Sequence, residues 1–545
     1  MKKILIAMLA VAMVFSMVAC GAKEPAETSA GTSAEQSQPA DVDSVKAAAE
    51  GYFANFEANP VIKPADLFAL MDSETPFILD IRQADVYGES HLKGAYLAAW
   101  GSDLAEKVSM LPTDQPVYVY CYTGQTAGQT VALLRMLGVD AYSVQSGYTN
   151  GIAKTEGFEA YVDTTANELP DAGATFDADV LAYVQEYFNS VADNGNFQIA
   201  AADAKPLIEA GDVTFVDVRQ AADYDTAHVD GAINIPFGQG MDFSALPTDQ
   251  QIVVTCYTGQ TAGQTVAVMR ALGYNAWSLK GGMNNGWVPM VKAAAANAYF
   301  AEGFANPVIK TEDLFAKIDA GEDLFIVDIR QADVYGEGHI KGAYLASWGA
   351  DLTAKVGMLP TDKPVYIYCY TGQTAGQTVA LLRMLGIEAY SVQSGYNNGI
   401  SQVEGFEAYI DTTANELPDA GATFDPFLLP VVAQYFTDAA DNGNFQIADT
   451  DAQALVDAGS VTVVDVRQAD AYAEGHIAGA INIPFGAGMD FSALPTGQQI
   501  IVTCYTGQTA GQTVAVLRML GFNAVSLKGG MNNGWNADSL PVVTD

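Results

Sequence analysis

The sequence predicts an α/β fold, repeated four times, in which a parallel sheet is covered by helices on both faces. Two observations carry this prediction. Short, mainly apolar runs, such as FILDIR, TFVDVR, LFIVDIR and VTVVDVR, alternate with longer segments of helical periodicity. Strands that are apolar on both faces are typical of a parallel sheet buried between layers of helices, with right-handed crossovers between the strands.

The chain also repeats itself. The eight residues CYTGQTAG occur four times, beginning at Cys121, Cys256, Cys369 and Cys504. The first and third of these cysteines lie 248 positions apart, as do the second and fourth, and the four histidines follow the same spacing. The order is therefore A-B-A-B, with related but distinct units. We expect domains A1, B1, A2 and B2 over residues 45–172, 173–291, 292–420 and 421–545, and each A-B pair to form one compact module.

Each unit shows the same succession of elements. An apolar run leads to a charged turn and a Gly-Ala step, and a second apolar run, such as VYVY before Cys121, ends directly on the cysteine. The octapeptide then opens a helix. In TAGQTVALLRMLG, Val131, Leu134 and Leu137 recur at helical spacing, and Gly138 provides the C-terminal stop. The run AYSV that follows predicts the next strand.

The composition indicates a folded and strongly acidic protein. Half of the residues are apolar, so burial can offset the conformational entropy that folding costs. The 64 acidic residues outnumber the 25 basic ones and give a net charge of -39. Such a charge repels a phosphate backbone, which argues against nucleic acid as a partner. A solvated surface explains the acid excess and identifies no partner by itself.

The N-terminus resembles an export signal. MKKILIAMLAVAMVFSMVAC has two lysines, an apolar run too short for a membrane span, and small residues before Cys20. Residues 17–21 resemble the cleavage box of bacterial lipoproteins, which implies that residues 1–20 form a signal peptide and that Cys20 is diacylated. Ordinary cleavage, with Cys20 left as a free thiol, is the alternative. We expect residues 21–44 to be a flexible linker, and the exported protein to be held on the outer face of the cytoplasmic membrane by this lipid alone.

The four loop cysteines are the candidate nucleophiles. Each follows a parallel strand and precedes a helix, where open α/β sheets bind ligands. Loop N–H groups without a helical partner, together with the helix dipole, can hold an anion there, including the thiolate itself. No cysteine has a close partner in sequence, so a disulfide framework is not predicted. The alternative is a buried cysteine that only packs.

We expect ligand contacts from the five residues that follow each cysteine, and in the B units from a lysine at the end of the next strand. These residues are Tyr122, Thr123, Gly124, Gln125 and Thr126; Tyr257, Thr258, Gly259, Gln260, Thr261 and Lys280; Tyr370, Thr371, Gly372, Gln373 and Thr374; and Tyr505, Thr506, Gly507, Gln508, Thr509 and Lys528. The glycine of each set permits the sharp turn of the loop, since it has no Cβ.

These motifs resemble the rhodanese family. The B units show DVRQAADYDTAHVDGA or DVRQADAYAEGHIAGA, then CYTGQTAG, then LKGGMNNGW. The A units keep DIR, the His-x-x-Gly-Ala step and the loop, but end in QSGYTNGI or QSGYNNGI. The resemblance covers nearly all of residues 45–545. It implies the rhodanese α/β fold and sulfur transfer through a cysteine persulfide. The implied partners are a small sulfur donor, such as thiosulfate or polysulfide, and a thiol or cyanide-type acceptor, without a cofactor.

The loop departs from the family at one position. The commonest family loop has an arginine five residues after the cysteine, where its cation helps to hold the donor and the persulfide. This chain has threonine there, at Thr126, Thr261, Thr374 and Thr509. The difference weakens the case for a thiosulfate reaction. Lys280 and Lys528 are placed to supply positive charge in the B units, whereas the A units have glutamine. We therefore expect Cys256 and Cys504 to be more reactive than the A-unit cysteines.

Other chemistry-bearing residues are interpreted as structural. Each histidine precedes a Gly-Ala step well upstream of its cysteine, a position that is structural in the family; a general-base role is the alternative. We expect the arginine of each D-[VI]-R run to pair with a local carboxylate, and Trp287 and Trp535 to pack. Isolated histidines predict no zinc site, and the absence of a GxxxxGK[ST] loop predicts no nucleotide cofactor.

Three functions are open on the sequence alone. The first is a lipid-anchored sulfurtransferase or sulfane-sulfur carrier. The second is a phosphatase or arsenate reductase, which would need a longer loop closing on an arginine that clamps the oxyanion. The third is a non-catalytic binding array that presents its loops to a protein or a small anion.

Overall fold

The computed structural model describes residues 42–301 and 303–544. The expected signal peptide of residues 1–20 and the lipidation site Cys20 lie outside this range. The first helix begins at Val42, so the last three residues of the expected flexible linker, 42–44, are helical. No helix within the described ranges is long and apolar enough to cross a membrane.

The first A-B pair alternates short strands with helices in both of its domains. Domain A1 contains α1 (Val42–Ala54), β1 (Val61–Ile62), α2 (Pro64–Ser73), β2 (Phe77–Asp80), α3 (Ala84–Glu89), β3 (His91–Leu92), β4 (Tyr96–Leu97), α4 (Ser102–Lys107), β5 (Val117–Tyr120), α5 (Gln125–Met136), β6 (Ala141–Val144) and β7 (Val162–Asp163). Domain B1 contains α6 (Ala178–Ser190), β8 (Gln198–Ile199), α7 (Ala201–Ala210), β9 (Val213–Asp217), α8 (Ala221–Thr226), β10 (Ile233–Asn234), β11 (Gln251–Thr255), α9 (Gln260–Ala271) and β12 (Ala276–Leu279).

The second pair repeats this succession. Domain A2 contains α10 (Val288–Tyr299), β13 (Val308–Ile309), α11 (Thr311–Asp319), β14 (Phe325–Asp328), α12 (Ala332–Glu337), β15 (His339–Ile340), β16 (Tyr344–Leu345), α13 (Ala350–Lys355), β17 (Val365–Tyr368), α14 (Gln373–Met384), β18 (Ala389–Val392), α15 (Gly395–Asn398) and β19 (Ile410–Asp411). Domain B2 contains α16 (Leu428–Asp441), β20 (Gln446–Ile447), α17 (Asp449–Asp457), β21 (Val461–Asp465), α18 (Ala469–Glu474), β22 (Ile481–Asn482), β23 (Gln499–Thr503), α19 (Gln508–Met519) and β24 (Ala524–Leu527).

Each domain is built on a five-stranded parallel sheet. The strand order is β1-β6-β5-β2-β4 in A1 and β10-β9-β11-β12-β8 in B1, and A2 and B2 repeat these arrangements. The strand that leads to the cysteine is the central one in every sheet. Ile78 and Leu79, neighbours on β2, belong to separate apolar clusters on opposite faces of the sheet. The predicted α/β fold, with four parallel sheets flanked by helices, is confirmed.

The two domains of a pair share one core. Helices α5 and α9 pack against each other, and the buried cluster around them contains Val119 of the A1 sheet and Val254 of the B1 sheet. Helices α14 and α19 join A2 and B2 in the same way. Burial of apolar surface is the main favourable term in such packing. The structure therefore shows each A-B pair as one module, as the repeated pair suggests.

The leading helix of each domain reaches into the partner domain. Tyr52 of α1 donates a hydrogen bond of 2.6 Å to Gln264 of α9, and Tyr187 of α6 donates one of 2.7 Å to Gln129 of α5. Burial raises the pKa of Tyr52 and Tyr187 far above the ordinary value, so both phenols remain donors well into the alkaline range. These paired bonds extend the shared core on both sides of the crossing helices.

The expected boundary between residues 291 and 292 falls inside a helix. Helix α10 starts directly after Trp287 of B1 and continues without a break to Tyr299, whose hydroxyl binds Gln512 in B2. The helix that ends the first pair therefore also supplies the leading helix of the second.

The close approach of α5 and α9 depends on glycine. A Cβ atom on Gly263 would lie 2.5 Å from the carbonyl oxygen of Gln125, and one on Gly128 would overlap the carbonyl oxygen of Gln260. Because both obstacles are backbone atoms at the helix crossing, they cannot move aside without separating the helices. The last glycine of each octapeptide is therefore required by packing between domains.

We expect Gly128→Ala to lower the free energy of unfolding of the first pair by about 3 kcal/mol, since the added methyl group forces α5 and α9 apart. Urea unfolding followed by circular dichroism measures this change. The control is Gly88→Ala at an exposed position of helix α3, where the new Cβ has no atom within 4 Å. That substitution should be neutral or slightly stabilising. Equal unfolding midpoints for the two variants would contradict the packing role.

Candidate functional site: paired cysteine loops

Main-chain N–H groups of the loop lie within hydrogen-bonding distance of each loop sulfur. The nitrogen of the glycine three residues after the cysteine lies 3.1 Å from Sγ in all four loops. In the A domains a second nitrogen, from Ala127 or Ala375, lies 3.4 or 3.5 Å from the sulfur. Gly124 reaches this position with a φ of 91°, in the left-handed region that favours glycine. Such N–H groups can donate to a sulfur anion or to an anion that takes its place.

The cysteines themselves are nearly enclosed. Each exposes only 2% of its surface. The tyrosine that follows each cysteine is exposed or partly exposed; Tyr122, for example, is 39% exposed. Tyr257 donates a hydrogen bond of 2.5 Å to Asp223 of α8, and partial burial together with this bond raises the pKa of Tyr257. The loops thus expose polar side chains above sulfur atoms that are almost covered.

The structure places the four loop glutamines in the interface between domains. The side-chain nitrogen of Gln125 donates to Ser278 Oγ at 2.8 Å and to the carbonyl oxygen of Leu279 at 3.0 Å. Its side-chain oxygen accepts the N–H of Gly281 at 3.0 Å. All three partners belong to β12 and the turn after it, in domain B1. The side chain therefore uses both its donor and its acceptor on the neighbouring domain.

The opposite glutamine returns the same contacts. Gln260 donates to Ser143 Oγ at 2.8 Å and to the carbonyl oxygen of Val144 at 3.1 Å, and accepts the N–H of Ser146 at 3.1 Å. Gln373 and Gln508 repeat the exchange in the second pair. These four side chains are 2–4% exposed. Their polar atoms hold the two domains together, and Gln125 and Gln373 are also among the residues that line the clefts between the loops.

Both cysteine loops of a pair border one cleft. In the first pair the cleft has a volume of about 490 Å³, and Thr123 of A1, Thr258 of B1 and Lys280 line it. The second pair has a cleft of about 440 Å³ lined by Thr371, Thr506 and Lys528, among others. The structure thus brings together predicted residues from two domains that the sequence treats separately. The amides of Asn150 and Asn285 also line the first cleft.

The threonines at the family's arginine position do not line these clefts. Thr126 and its three counterparts are half-buried in the first turn of the helix, and the Thr126 carbonyl accepts a hydrogen bond from Thr130. Arg135, at the far end of α5, donates to the carbonyl oxygen of Ala141 at 2.8 Å. A larger cavity of about 560 Å³ lies at that far end, and no loop residue lines it. Lys280 and Lys528 are therefore the basic residues that line the clefts.

The arginine of each D-[VI]-R run pairs with the neighbouring aspartate, as predicted. Arg82 is 1% exposed, its Nη2 lies 2.7 Å from Asp80 Oδ2, and it also donates to the carbonyl oxygen of Ser90. Its guanidinium lies 3.9 Å from the ring centre of Tyr148. Equivalent ion pairs occur at Arg219 and Asp217, Arg330 and Asp328, and Arg467 and Asp465. These buried pairs fix the turn beyond the second strand of each sheet.

The histidines bind backbone carbonyl groups that lie outside the cysteine loops. The ring nitrogens of His91 lie 2.7 and 2.9 Å from the carbonyl oxygens of Tyr87 and Thr165, and the ring stacks on Tyr87. The structural interpretation therefore agrees with the geometry. Trp287 and Trp535 are buried, as expected for packing residues. Within residues 42–301 and 303–544, no group of three or more His, Cys, Asp or Glu side chains is arranged to hold a metal ion.

Sequence reasoning missed the partners of the glutamines and the shared cleft. Ser143 and Ser278 are buried strand residues whose role appears only when two domains face each other. One signal could have revealed the interface. The A and B units differ at many positions but agree throughout GQTAG. When equivalent residues of two domains face each other across a two-fold arrangement, both must make the same contact, so identity at these positions is a signal of the interface.

Comparison with known proteins adds an independent observation. The family model described as the rhodanese-like domain matches residues 63–154, 200–288, 310–402 and 448–538, which together make up more than half of the chain. The chain belongs to the rhodanese-like family. Each matched segment contains one cysteine loop and four of the five strands of one sheet, so the rhodanese-like domains correspond to the four repeated units.

Several of its relatives are named sulfurtransferases. The chain is 37% identical over 87 residues to thiosulfate sulfurtransferase GlpE of Stutzerimonas stutzeri, covering 16% of this chain and 79% of that protein. It is 27% identical over 280 residues to thiosulfate sulfurtransferase of Pseudomonas aeruginosa, covering 43% of this chain and 96% of the relative. A crystal structure of a thiosulfate sulfurtransferase from Pseudomonas aeruginosa matches at 17% identity with a TM-score of 0.17, covering 89% of this chain and 90% of the other.

Some matches cover only a small part of the relative. The chain is 38% identical over 78 residues to tRNA sulfurtransferase of Pyrobaculum aerophilum, which is 14% of this chain and only 16% of that protein. The similarity there concerns one rhodanese-like domain and not the whole relative.

We expect Gln125→Ala to destabilise the first pair by about 3 kcal/mol, because it leaves buried polar groups of β12 without partners. Chemical denaturation measures the loss. Gln115→Ala, at an exposed position before β5, is the matched control and should change stability by less than about 0.5 kcal/mol. Hydrogen exchange at the Gly281 amide should also accelerate in Gln125→Ala. If the two variants unfold alike, the glutamine does not join the domains.

Proposed function

We propose that each A-B pair is a sulfurtransferase module that carries sulfane sulfur as a persulfide on its loop cysteines. The observation that carries this proposal is the glycine N–H at 3.1 Å from each sulfur, within loops that border a common cleft. Membership of the rhodanese-like family, with relatives named thiosulfate sulfurtransferases, supports the same reaction class.

The proposed reaction has two balanced steps. The cysteine thiolate attacks the outer sulfur of a donor such as thiosulfate; a sulfur–sulfur bond forms to the cysteine, and the donor's own sulfur–sulfur bond breaks to release sulfite. The persulfide anion then gives its terminal sulfur to an acceptor thiolate and regenerates the cysteine thiolate. Loop N–H groups donate to negative charge on sulfur throughout, without reorganisation. Lys280 or Lys528 attracts the anionic donor into the cleft.

The proposed loading can be followed by mass spectrometry. After the mature chain is treated with thiosulfate or polysulfide, we expect loop peptides that are heavier by one sulfur atom. Cys256 and Cys504 should load faster than Cys121 and Cys369, because Lys280 and Lys528 follow the strands that pair with those leading to the B-domain cysteines. The Cys256→Ser variant should lose the addition at that peptide alone. Unchanged masses with every donor would remove the basis for the proposal.

A second candidate is a non-catalytic binding array. The 2% exposure of the cysteines and the threonine at the arginine position both favour it. Alkylation with iodoacetamide separates the two functions, because a binding module does not need an activated thiol. A reactivity and pH profile equal to those of free cysteine at all four loops would favour the array.

We also propose that the protein is exported and attached to the outer face of the cytoplasmic membrane through a diacylated Cys20. The lysines, apolar run and cleavage box of residues 1–20 support this location. One lipidated cysteine and a polar linker would leave the clefts free in the aqueous phase.

Labelling cells with a fatty acid should modify the wild-type protein and not the Cys20→Ser variant, which should appear in the soluble fraction. Cys121→Ser should keep the label and serves as the control. A wild-type chain without label would show that Cys20 is not lipidated.

A further inference from the structure

The two clefts differ in charge. The first is lined by Lys280 together with Ala200, Ala201, Ala202 and Met290, and no carboxylate is among its lining residues. The second is lined by Lys528 and also by Asp449. The clefts otherwise share their loop threonines, glycines and asparagines. The duplication therefore kept the architecture of the site and changed the charge at its rim.

Asp449 takes the place of Ala201. The two residues are 248 positions apart, the spacing of the repeat, and they begin the equivalent helices α17 and α7. Asp449 is half-buried and accepts the N–H of Thr450 at 2.9 Å. No ion pair joins it to Lys528 among the described residues, so its negative charge is not compensated by direct contact. Both charges act on whatever enters the second cleft.

We propose that the two pairs select ligands by charge. The first cleft takes anionic sulfur donors of the thiosulfate type, and the second takes sulfur compounds of lower negative charge. This assignment rests on the proposed sulfurtransferase function, since it names the ligand class of the same clefts. A carboxylate about 7 Å from a bound monoanion in a water-like medium reduces its occupancy about threefold, and a dianion is affected by roughly the square of that factor.

Two alkylating reagents of similar size test the proposal on the full chain. Iodoacetate is anionic and iodoacetamide is neutral, so the ratio of their rates at one cysteine reports the local charge and cancels burial. The peptides that contain Cys256 and Cys504 differ in sequence, which allows both ratios to be read by mass spectrometry in one sample. We expect the iodoacetate-to-iodoacetamide ratio to be about threefold higher at Cys256.

Exchange of the two residues provides matched controls. Ala201→Asp should lower the ratio at Cys256 about threefold and leave Cys504 unchanged, and Asp449→Ala should raise the ratio at Cys504 about threefold. Aspartate already begins the equivalent helix, and it is favourable in a first helical turn, so Ala201→Asp should fold. Both effects should shrink in high salt.

Charge selection would be overturned by equal iodoacetate-to-iodoacetamide ratios at the two cysteines, or by ratios that change in neither Ala201→Asp nor Asp449→Ala. A failure of both reagents to reach either thiol would also overturn it, because the clefts would then not admit ligands. The outcome is independent of sulfur loading. Charge selection without persulfide formation would refute the proposed function and support the binding preference. Persulfide formation with equal ratios would support the proposed function and refute the charge selection.

Discussion

The site depends on one reciprocal interaction, the exchange of buried glutamine side chains between the domains of a pair. Gln125 and Gln260 each cross the interface and satisfy a serine hydroxyl, a carbonyl oxygen and an N–H group of the opposite domain. Because an amide side chain carries both donors and an acceptor, one residue type serves both directions. The exchange lies at the starts of the crossing helices, directly after the cysteine loops. It therefore fixes the position of each loop relative to the other and maintains the cleft between them.

This interaction changes how the four identical octapeptides are understood. Identity between otherwise divergent domains suggests shared chemistry, and the cysteine and the first glycine fit that interpretation. The glutamine and the last glycine have a different cause. Gly128 and Gly263 allow the backbones of the helices to touch, and each faces the main-chain carbonyl oxygen of the glutamine in the opposite loop. A change in either domain would disturb both, so packing alone explains part of the identity.

The glutamine exchange also explains which features are the same in the two pairs and which residues differ between them. The helix crossing, the glutamine exchange and the loop N–H groups are repeated with nearly equal distances. Ala201 and Asp449, equivalent residues that line the clefts, belong to neither the helix crossing nor the glutamine exchange, and they differ. A duplicated module of this kind can change its ligand preference at the rim without loss of the shared core. Because the sulfur atoms are nearly enclosed, a ligand contacts the residues that line the cleft before it reaches the thiol.

The sequence by itself determined the parallel α/β sheets, the A-B-A-B order, and the place of each cysteine between a strand and a helix, because all of these follow from local periodicity and repetition. It also predicted that the arginine of each D-[VI]-R run pairs with a local carboxylate and that the histidines are structural. A near neighbour in the chain is one partner in each case, Asp80 for Arg82 and Tyr87 for His91, although His91 also binds the distant Thr165. Only the tertiary structure decided that Gln125 binds Ser278, that helix α10 crosses the expected boundary, and that loops from two domains form one cleft. These features join residues that are distant in the chain, and hydrophobic periodicity contains no information about which distant surfaces meet.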